Sequence, residues 1–589
     1  MAATEKKGRL LPTVTEVNVA ATMRDGIVLR ADVYHPPQDG RYPVLLCRTP
    51  YDKTREGYVE AGQRMAERGY TVVVQDVRGR HASEGEFRPG LYSAEHDDAE
   101  DGYDAVEWAA QLPSSTGAVG TFGGSYDGWT QWELAHARPP HLKAMIPSAI
   151  AANLLDRELG GVLRLGRVLE WTINGLSLDA GRRRGVPFLP VSGEEARRLW
   201  VERDRHKWLW HLPLREMPDQ IMPGMGKHWR RWLDDHATDH FRFLEKHREI
   251  DVPALTITGW YDQQIGTIKH FTGMVKNGRS ARARQSQRLI IGPWTHTLTD
   301  LGRKVGQVDF GALAQRDYYE IADRWFTRWL KDTPNDDEER PPIEVFVMGS
   351  NRWRHEREWP LAGTRYTDFF LRSGGGANTA SGDGGLSREA PGEEPADEYR
   401  YDPRDPVMTL YSAQGQQEPH DQRPLDGRRD VLVYATPVLE EALEVIGPVV
   451  VELWAVSSAR DTDFTAKLID VWPNGFVQEL CHGIVRARYR ESYEAPTLIE
   501  PGKAYRYRIQ VNPYGKSVLA GTPHPTRHQQ QRLSQLRPQS QHRRRRLRRG
   551  GTEQRAPANP PRQRPSVASD PSCDRISSML VITPPSPPS

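Results

Sequence analysis

The stretch best suited to chemistry is Gly123-Gly124-Ser125-Tyr126-Asp127-Gly128, which has the pattern G-x-S-x-x-G. A serine hydroxyl is a useful nucleophile only when a turn exposes it, a base takes its proton and donors receive the developing oxyanion. A short apolar run precedes Ser125 and a helix-like segment follows it. The small residues before Ser125 would permit the tight strand-to-helix turn of a nucleophile elbow. A plain glycine-rich turn is the alternative interpretation.

An acid and a base follow Ser125 along the chain. Asp262 comes directly after the apolar strand predicted over 252–258, and His296 comes after the strand predicted over 288–291. Taken singly, the aspartate could be a turn residue and the histidine a structural one. Together, the three residue types stand in the order Ser, Asp, His, each just past a predicted strand, where α/β sheets place their chemistry. The sequence therefore predicts a catalytic triad.

The elements that must position these residues alternate between apolar strands and amphipathic helices. Such strands are typical of a parallel sheet that is buried on both faces. We predict an α/β-hydrolase core in two parts, residues 1–148 and 249–341. Between them, over 149–248, Leu, Arg and Trp recur at helical spacing, which indicates an inserted helical cap.

Beyond Pro341-Pro342 the chain changes to short strands separated by turns rich in Gly, Pro, Asn and Asp. This pattern favours a C-terminal β-sandwich, a jelly roll over 342–520 that begins with a strand at 343–348. The predicted fold class is thus α/β, with an α/β-hydrolase core, an inserted helical cap and a C-terminal β-sandwich.

Composition sets further expectations. Charged residues make up 27% of the 589 residues and hydrophobic residues 37%, as in a globular protein. Apolar runs are shorter than the ~18 residues of a membrane helix, and we find no signal peptide, so we expect a cytoplasmic protein without a membrane partner. Three scattered cysteines form neither a disulfide framework nor a zinc site. A serine mechanism requires no metal and no cofactor, and the sequence offers no ligand cluster.

Five ordered motifs together resemble the CocE/NonD family of serine hydrolases. They are Arg48-Thr49-Pro50-Tyr51-Asp52-Lys53, Asp76-Val77-Arg78-Gly79, Gly123-Gly124-Ser125-Tyr126-Asp127-Gly128, Gly259-Trp260-Tyr261-Asp262 and Gly292-Pro293-Trp294-Thr295-His296. The resemblance spans roughly residues 14–520. It implies Ser125 as nucleophile, His296 as base and Asp262 as the acid that orients it. It also implies an oxyanion hole formed by the phenol of Tyr51 and the backbone N–H of Tyr126.

The implied activity is cleavage of small acyl esters or amides. The family is related to X-Pro dipeptidyl-peptidases (peptidase family S15) and α-amino-acid ester hydrolases, and these remain the alternatives. Trp171 resembles a cap aromatic that lines the acyl pocket, although a core tryptophan fits equally well. Gln264 stands where the family's cocaine-esterase-like members have a pocket phenylalanine, and this argues against benzoyl esters. Lys53 stands where amino-ester hydrolases have an ammonium-binding carboxylate. We therefore expect a smaller or more polar acyl group.

Residues 521–589 form a basic, low-complexity tail with thirteen Arg, no Lys and three acids. A disordered tail is one interpretation, and nucleic-acid binding is the non-enzyme alternative, although the tail lacks aromatic residues for base stacking. A third is a shifted reading frame, because 529–536 can be coded so that the next frame resembles the family's last strands. The jelly roll would then be incomplete. Expected partners are a small ester or amide substrate and, as an option, a second copy of the chain in a homodimer.

Overall fold

A large mixed sheet forms the centre of the molecule. The computed structural model describes residues 12–37, 40–92, 94–153, 161–235, 241–262, 266–296, 301–336, 339–410, 418–519 and 531–533. The strands up to residue 356 are β1 (Val14–Thr22), β2 (Val28–His35), β3 (Tyr42–Thr49), β4 (Thr71–Asp76), β5 (Ser115–Gly124), β6 (Leu142–Ser148), β7 (Ala254–Gly259), β8 (Gln287–Gly292), β9 (Lys304–Val305), β10 (Val308–Asp309), β11 (Ile343–Val347) and β12 (Arg352–Glu356).

Ten of these strands lie in the order β1-β2-β4-β3-β5-β6-β7-β8-β11-β12, while β9 and β10 pair with each other. The strands from β4 to β11 are parallel, and antiparallel strands stand at both edges. Strands β3, β4, β7 and β8 are almost wholly buried, as their continuous apolar sequences predict. The carboxyl ends of β5, β7 and β8 consequently meet at one edge of the sheet.

Helices cover the sheet and form the cap. The α-helices are α1 (Glu56–Ala66), α2 (Asp98–Ala110), α3 (Tyr126–Ala137), α4 (Leu165–Glu170), α5 (Leu178–Arg183), α6 (Gly193–Leu199), α7 (Arg205–Trp208), α8 (Gly226–Asp235), α9 (Phe243–Lys246), α10 (Gly266–Asn277), α11 (Ala281–Gln285) and α12 (Tyr318–Leu330). Two π-helical segments, Trp171–Ser177 and Trp200–Asp204, extend α4 and α6. Short 3₁₀ helices span Leu214–Glu216, Asp219–Ile221, His247–Glu249, Ala312–Ala314, Arg423–Leu425 and Ala487–Tyr489. Within the described ranges, no helix is both long and apolar enough to cross a membrane.

The segment predicted as the cap, residues 149–248, contains α4 to α9, and the part from α4 to α8 has its own apolar core. Trp200, Trp229 and Trp232 are buried there together with Leu169 and Met222. These three are among the seventeen tryptophans of the chain, and each indole buries a large apolar area.

A β-sandwich follows the core. Its strands are β13 (Phe370–Arg372), β14 (Gly385–Ser387), β15 (Tyr434–Thr436), β16 (Leu443–Val456), β17 (Asp463–Val471), β18 (Val477–Arg486), β19 (Ala504–Val518) and β20 (Gln531–Leu533). One sheet has the order β13-β14-β15-β20-β17-β18, and the long strands β16 and β19 pair as the other. The rings of Phe464 on β17 and Tyr507 on β19 meet between them, with centroids 4.6 Å apart.

The first strand predicted for the sandwich belongs to the core instead. Ile343–Val347 pairs in parallel with β8, with Ile343 opposite Leu289 and Val345 opposite Ile291. A continuous apolar strand suits either environment, so the hydrophobic pattern could not assign it to a sheet. Of the predicted basic tail, only Gln531–Leu533 is described, where it pairs with β15 and β17. The interpretations of the rest of the tail, including the frame shift, lie outside the described residues and stay predictions.

Two buried histidines tie α10 to the segment that leads into β7. Nε2 of His247 lies 2.9 Å from Nδ1 of His270, and Nε2 of His270 lies 3.3 Å from the carbonyl oxygen of Ala151. The His270 ring stacks on Trp132, with centroids 4.1 Å apart. Burial lowers the pKa of His247 to about 4 and that of His270 well below its usual value. Both imidazoles are therefore neutral in the folded protein near neutral pH.

This pair predicts a specific loss of stability in acid. An unfolded histidine takes up a proton near pH 6.5, whereas folded His247 does so only near pH 4, so folding loses stability as the pH falls between these values. The loss amounts to about 3 kcal/mol for His247. We expect the Tm of His247→Gln to fall less steeply than that of the wild type from pH 7 to pH 4. The same substitution at exposed His355 should leave the wild-type slope, and parallel slopes for all three proteins would contradict the prediction.

Candidate active site

Ser125 lies at the turn between β5 and α3. Its backbone has φ 61° and ψ −125°, which is unusual for a residue with a side chain, and such strain is typical of a nucleophile elbow. The Ser125 N–H donates to the carbonyl oxygen of Ser148 at 3.0 Å, which fixes the turn against the end of β6. A Cβ at Gly128 would lie only 2.8 Å from that same oxygen. The second glycine of the motif is thus required for α3 to pass close to β6.

The loops after β7 and β8 bring the predicted acid and base together. The N–H of Trp260 donates to the carbonyl oxygen of Gly292 at 2.9 Å, and the N–H of Tyr261 donates to that of Trp294 at 3.0 Å. These bonds continue the strand pairing past the ends of both strands. As a result, Nδ1 of His296 lies 2.5 Å from Oδ1 of Asp262.

The carboxylate of Asp262 is fully buried and still ionised. Burial alone would raise its pKa, but the charge and hydrogen bond of His296, with a bond from Thr258, hold the pKa below its usual value. Thr258 Oγ1 donates to Oδ2 at 3.0 Å, so both carboxylate oxygens accept hydrogen bonds. An ionised partner at Nδ1 keeps the proton there and leaves Nε2 of His296 as the basic nitrogen.

The phenol of Tyr51 lies beside the elbow. Trp171 Nε1–H donates to its oxygen at 3.0 Å, and the Ser125 side chain also hydrogen-bonds to it. Burial and the neighbouring charge of Asp127 raise the pKa of Tyr51, so the phenol keeps its proton. A neutral phenol whose oxygen already accepts from an indole is held in place and can donate to a ligand atom.

Tyr126 offers its backbone rather than its side chain. Its phenol is buried, where it donates to Asp98 at 3.2 Å and accepts from the N–H of Gly90 at 3.0 Å. As the first residue of α3, it has a backbone N–H without an acceptor inside the helix, because the first four N–H groups of a helix lack one. That N–H and the Tyr51 phenol are the two donors predicted for an oxyanion hole.

The residues predicted to select the substrate have different outcomes. Trp171 begins the π-helical segment of the cap, stacks on Tyr92 with centroids 5.6 Å apart and contacts the Tyr51 phenol, so it belongs both to the cap and to the site. Gln264 lies outside the described residues. Lys53 is buried, with its ammonium 3.6 Å from Asp32 and 3.5 Å from Asp76. Its charge is therefore balanced inside the core.

The sequence did not indicate that the β-sandwich contacts the triad-acid loop. Tyr261 precedes Asp262, and its phenol accepts from Nε2 of Gln478 on β18 at 2.7 Å. The ammonium of Lys516 on β19 lies 2.5 Å from the same glutamine's Oε1, and Trp260 packs against Tyr514. A polar residue in a sandwich strand is ordinary, so no sequence signal distinguished Gln478.

A mostly parallel sheet with a strained serine elbow, and an Asp–His pair at its carboxyl edge, defines an α/β-hydrolase. The chain belongs to the CocE/NonD hydrolases of the S15 family. Residues 25–298 match the family model of the X-Pro dipeptidyl-peptidases (S15 family), and residues 335–522 match that of the X-Pro dipeptidyl-peptidase C-terminal non-catalytic domain. These matches confirm the predicted fold class and family resemblance.

Individual relatives agree with this assignment. The chain is 37% identical over 531 residues to the cocaine esterase of Rhodococcus sp. (strain MB1 Bresler), covering 86% of this chain and 88% of that protein. A solved α-amino acid ester hydrolase superposes with a TM-score of 0.68 at 23% identity, covering 90% of this chain and 89% of the other. A CocE/NonD family hydrolase from Staphylococcus aureus gives 0.60 at 20% identity, covering 90% and 85%. The two solved structures show a shared fold.

The close approach of the two loops makes Gly259 sensitive to substitution. A Cβ at this last residue of β7 would lie 2.0 Å from the carbonyl oxygen of Trp294, whereas a Cβ at Gly193 at the start of α6 would meet nothing within 4 Å. We expect Gly259→Ala to destabilise the protein by about 1–3 kcal/mol or more, measured as a lower Tm. Gly193→Ala is the matched control and should keep the wild-type Tm. Equal Tm values for the two variants would show that the loops are not tightly packed.

Proposed function

We propose that the protein is a serine esterase in which Ser125 is the nucleophile, His296 the general base and Asp262 the acid that orients the base. The observation that carries this proposal is the 2.5 Å contact between Asp262 and His296, at the sheet edge where the strained Ser125 elbow also lies. The ordered triad fits acyl transfer through a covalent intermediate.

The proposed reaction has two halves. His296 takes the proton of the Ser125 hydroxyl while the Oγ atom attacks the ester carbonyl carbon. The negative charge that forms on the carbonyl oxygen is stabilised by the Tyr51 phenol and the Tyr126 N–H. The intermediate then breaks its C–O bond to the alcohol, which leaves with the proton from His296. Water attacks the acyl-enzyme in the same manner, releasing the acid and restoring Ser125.

Esters are favoured over peptides as the substrate class. The relative of highest identity among those named, at 37%, is an esterase, and its similarity extends over both the catalytic and the C-terminal regions. X-Pro dipeptidyl-peptidase or α-amino-acid ester hydrolase activity is the second candidate, supported by the S15 family model. Both of these activities would need an anionic group that binds the ammonium of the substrate. The position at which amino-ester hydrolases carry such a carboxylate is occupied here by Lys53, which is buried against Asp32 and Asp76.

The nucleophile is tested by substitution. We expect Ser125→Ala to lower hydrolysis of p-nitrophenyl acetate by at least about 10³-fold, because both halves of the reaction pass through its Oγ atom. Ser280→Ala is a suitable control, since Ser280 caps α11 through a bond from the N–H of Ala283, and it should retain full activity. Unchanged hydrolysis by Ser125→Ala would reject the assigned nucleophile.

The substrate class is tested with three sets of chromogenic compounds. We expect kcat/KM to be highest for p-nitrophenyl esters of short or polar acids, lower for benzoyl esters and lowest for Xaa-Pro p-nitroanilides. The expectation follows from Gln264 in place of an aromatic residue and from the internal pairing of the Lys53 ammonium. Hydrolysis of the Xaa-Pro compounds alone would overturn the ester assignment while leaving the nucleophile intact.

A further inference from the structure

The reaction described above assigns no task to Asp127, although it lies one residue after Tyr126 and two after Ser125. Its side chain is 4% exposed, so the carboxyl group has almost no access to water. Oδ2 accepts a hydrogen bond from the Tyr58 hydroxyl on α1 at 2.7 Å, and the thiol of Cys47 on β3 lies 3.9 Å away. A buried carboxyl group this close to a nucleophile costs stability, which raises the question of its function.

A chain of hydrogen bonds leads from Asp127 to the backbone of the other oxyanion donor. The N–H of Tyr51 donates to Oγ1 of Thr49 at 3.1 Å, the Thr49 hydroxyl donates to the Tyr58 oxygen at 2.7 Å, and Tyr58 donates to Asp127. The hydroxyls of Thr49 and Tyr58 each accept one hydrogen bond and donate the next, so all three bonds are directed towards the Asp127 carboxylate. Such a chain is stronger than its separate bonds, because each donor polarises the next.

Asp127 is thereby connected to both halves of the oxyanion hole. Through the main chain it is adjacent to the N–H of Tyr126, and through Tyr58 and Thr49 it holds the backbone that carries the Tyr51 phenol. We propose that Asp127 is a positioning residue that sets the spacing between the Tyr51 phenol and the Tyr126 N–H. The inference rests on the proposed function of these two donors. Donors to an oxyanion must be held within about 0.5 Å of the productive geometry.

The charge at this position is sensitive to pH near neutrality. Burial raises the pKa of Asp127 to about 7, opposed by the hydrogen bond from Tyr58, by the nearby polar groups of Thr49 and Cys47 and by the charge of Arg55. The pKa of both Tyr58 and Cys47 is raised, chiefly by burial, so these partners stay neutral donors. The titratable or charged groups that feel this carboxylate are Cys47, Tyr51, Arg55, Tyr58 and Tyr318. Protonation weakens the acceptor that ends the chain.

The first test is kinetic. We expect Asp127→Asn and Tyr58→Phe each to lower kcat for p-nitrophenyl acetate by about tenfold with little change in KM, since a displaced oxyanion donor affects the transition state more than substrate binding. In the wild type, kcat should fall by about tenfold as Asp127 takes up its proton near pH 7. Asp127→Asn should lack this component of the pH profile.

A matched control separates positioning from ordinary loss of a buried hydroxyl. Tyr70 also donates to a carboxylate, that of Asp323 on α12, at 2.9 Å, and lies outside the catalytic machinery. Tyr70→Phe should keep the wild-type kcat and pH profile. If Tyr58 acts through Asp127, the double variant Tyr58→Phe, Asp127→Asn should be no slower than the slower single variant.

Thermal stability is a second measurement, in which Asp127→Asn should gain although its kcat is lower. A carboxyl whose pKa is raised from 3.8 to about 7 on folding destabilises the protein as the pH rises through that range. Asp127→Asn should therefore have a higher Tm than the wild type at pH 8, with a difference that shrinks towards pH 5, although its kcat is lower. A residue that serves only to stabilise the fold would show both losses together.

Failure of this inference can be distinguished from failure of the proposed function. The positioning role of Asp127 is overturned if Asp127→Asn and Tyr58→Phe keep the wild-type kcat, if they change only KM, or if they lose no more activity than Tyr70→Phe. Ser125 remains the nucleophile in each of these cases, provided that Ser125→Ala is inactive. If Asp127→Asn does not fold, Thr49→Val interrupts the same chain at its middle member and should reproduce the tenfold loss in kcat. An active Ser125→Ala would instead remove the proposed function itself.

Discussion

Asp262 carries a carboxylate with no exposed surface, and a buried charge costs several kcal/mol unless it is paired and hydrogen-bonded. The structure meets this requirement through His296 on one oxygen and Thr258 on the other. Thr258 lies in β7 itself, close to Asp262 in the chain, whereas the contact with His296 depends on the loops after β7 and β8 staying together. An ionised acid beside the base therefore requires three features: the parallel pairing of β7 with β8, the backbone hydrogen bonds beyond their ends and the absence of a side chain at Gly259.

The remaining part of the site is assembled from elements that are far apart in sequence. The Tyr51 phenol follows β3, the indole that donates to it comes from the cap, and the serine beside it belongs to the β5 turn. The cap therefore does more than cover the sheet, because Trp171 reaches a hydrogen-bonding group of the site. A single tryptophan serves the cap core through Tyr92 and the site through Tyr51, which explains why the two interpretations of Trp171 could not be separated by sequence.

The fold was largely predictable, whereas much of the site's support was not. Strands such as β4 and β7 can be recognised in the sequence because a sheet buried on both faces needs continuous apolar runs. Asp262 and His296 follow the ends of two such strands. Because such strands all have similar apolar sequences, the sequence could not show that Ile343–Val347 pairs with β8. Gln478 and Tyr58 act through side-chain hydrogen bonds to residues far away in the chain, Tyr261 and Asp127, and hydrophobic periodicity carries no information about such contacts.

The contact between Tyr261 and Gln478 couples the stability of the β-sandwich to that of the loop that carries the triad acid. The residue next to the triad acid is hydrogen-bonded to a strand of another domain, and a single apolar cluster continues from Trp260 and Phe346 into Tyr507 and Tyr514. Opening of the sandwich would expose this cluster and release the acid loop, even with the core sheet intact. Stabilising the sandwich, for example at β16 to β19, would therefore also stabilise the acid loop on heating, without altering any residue that touches substrate.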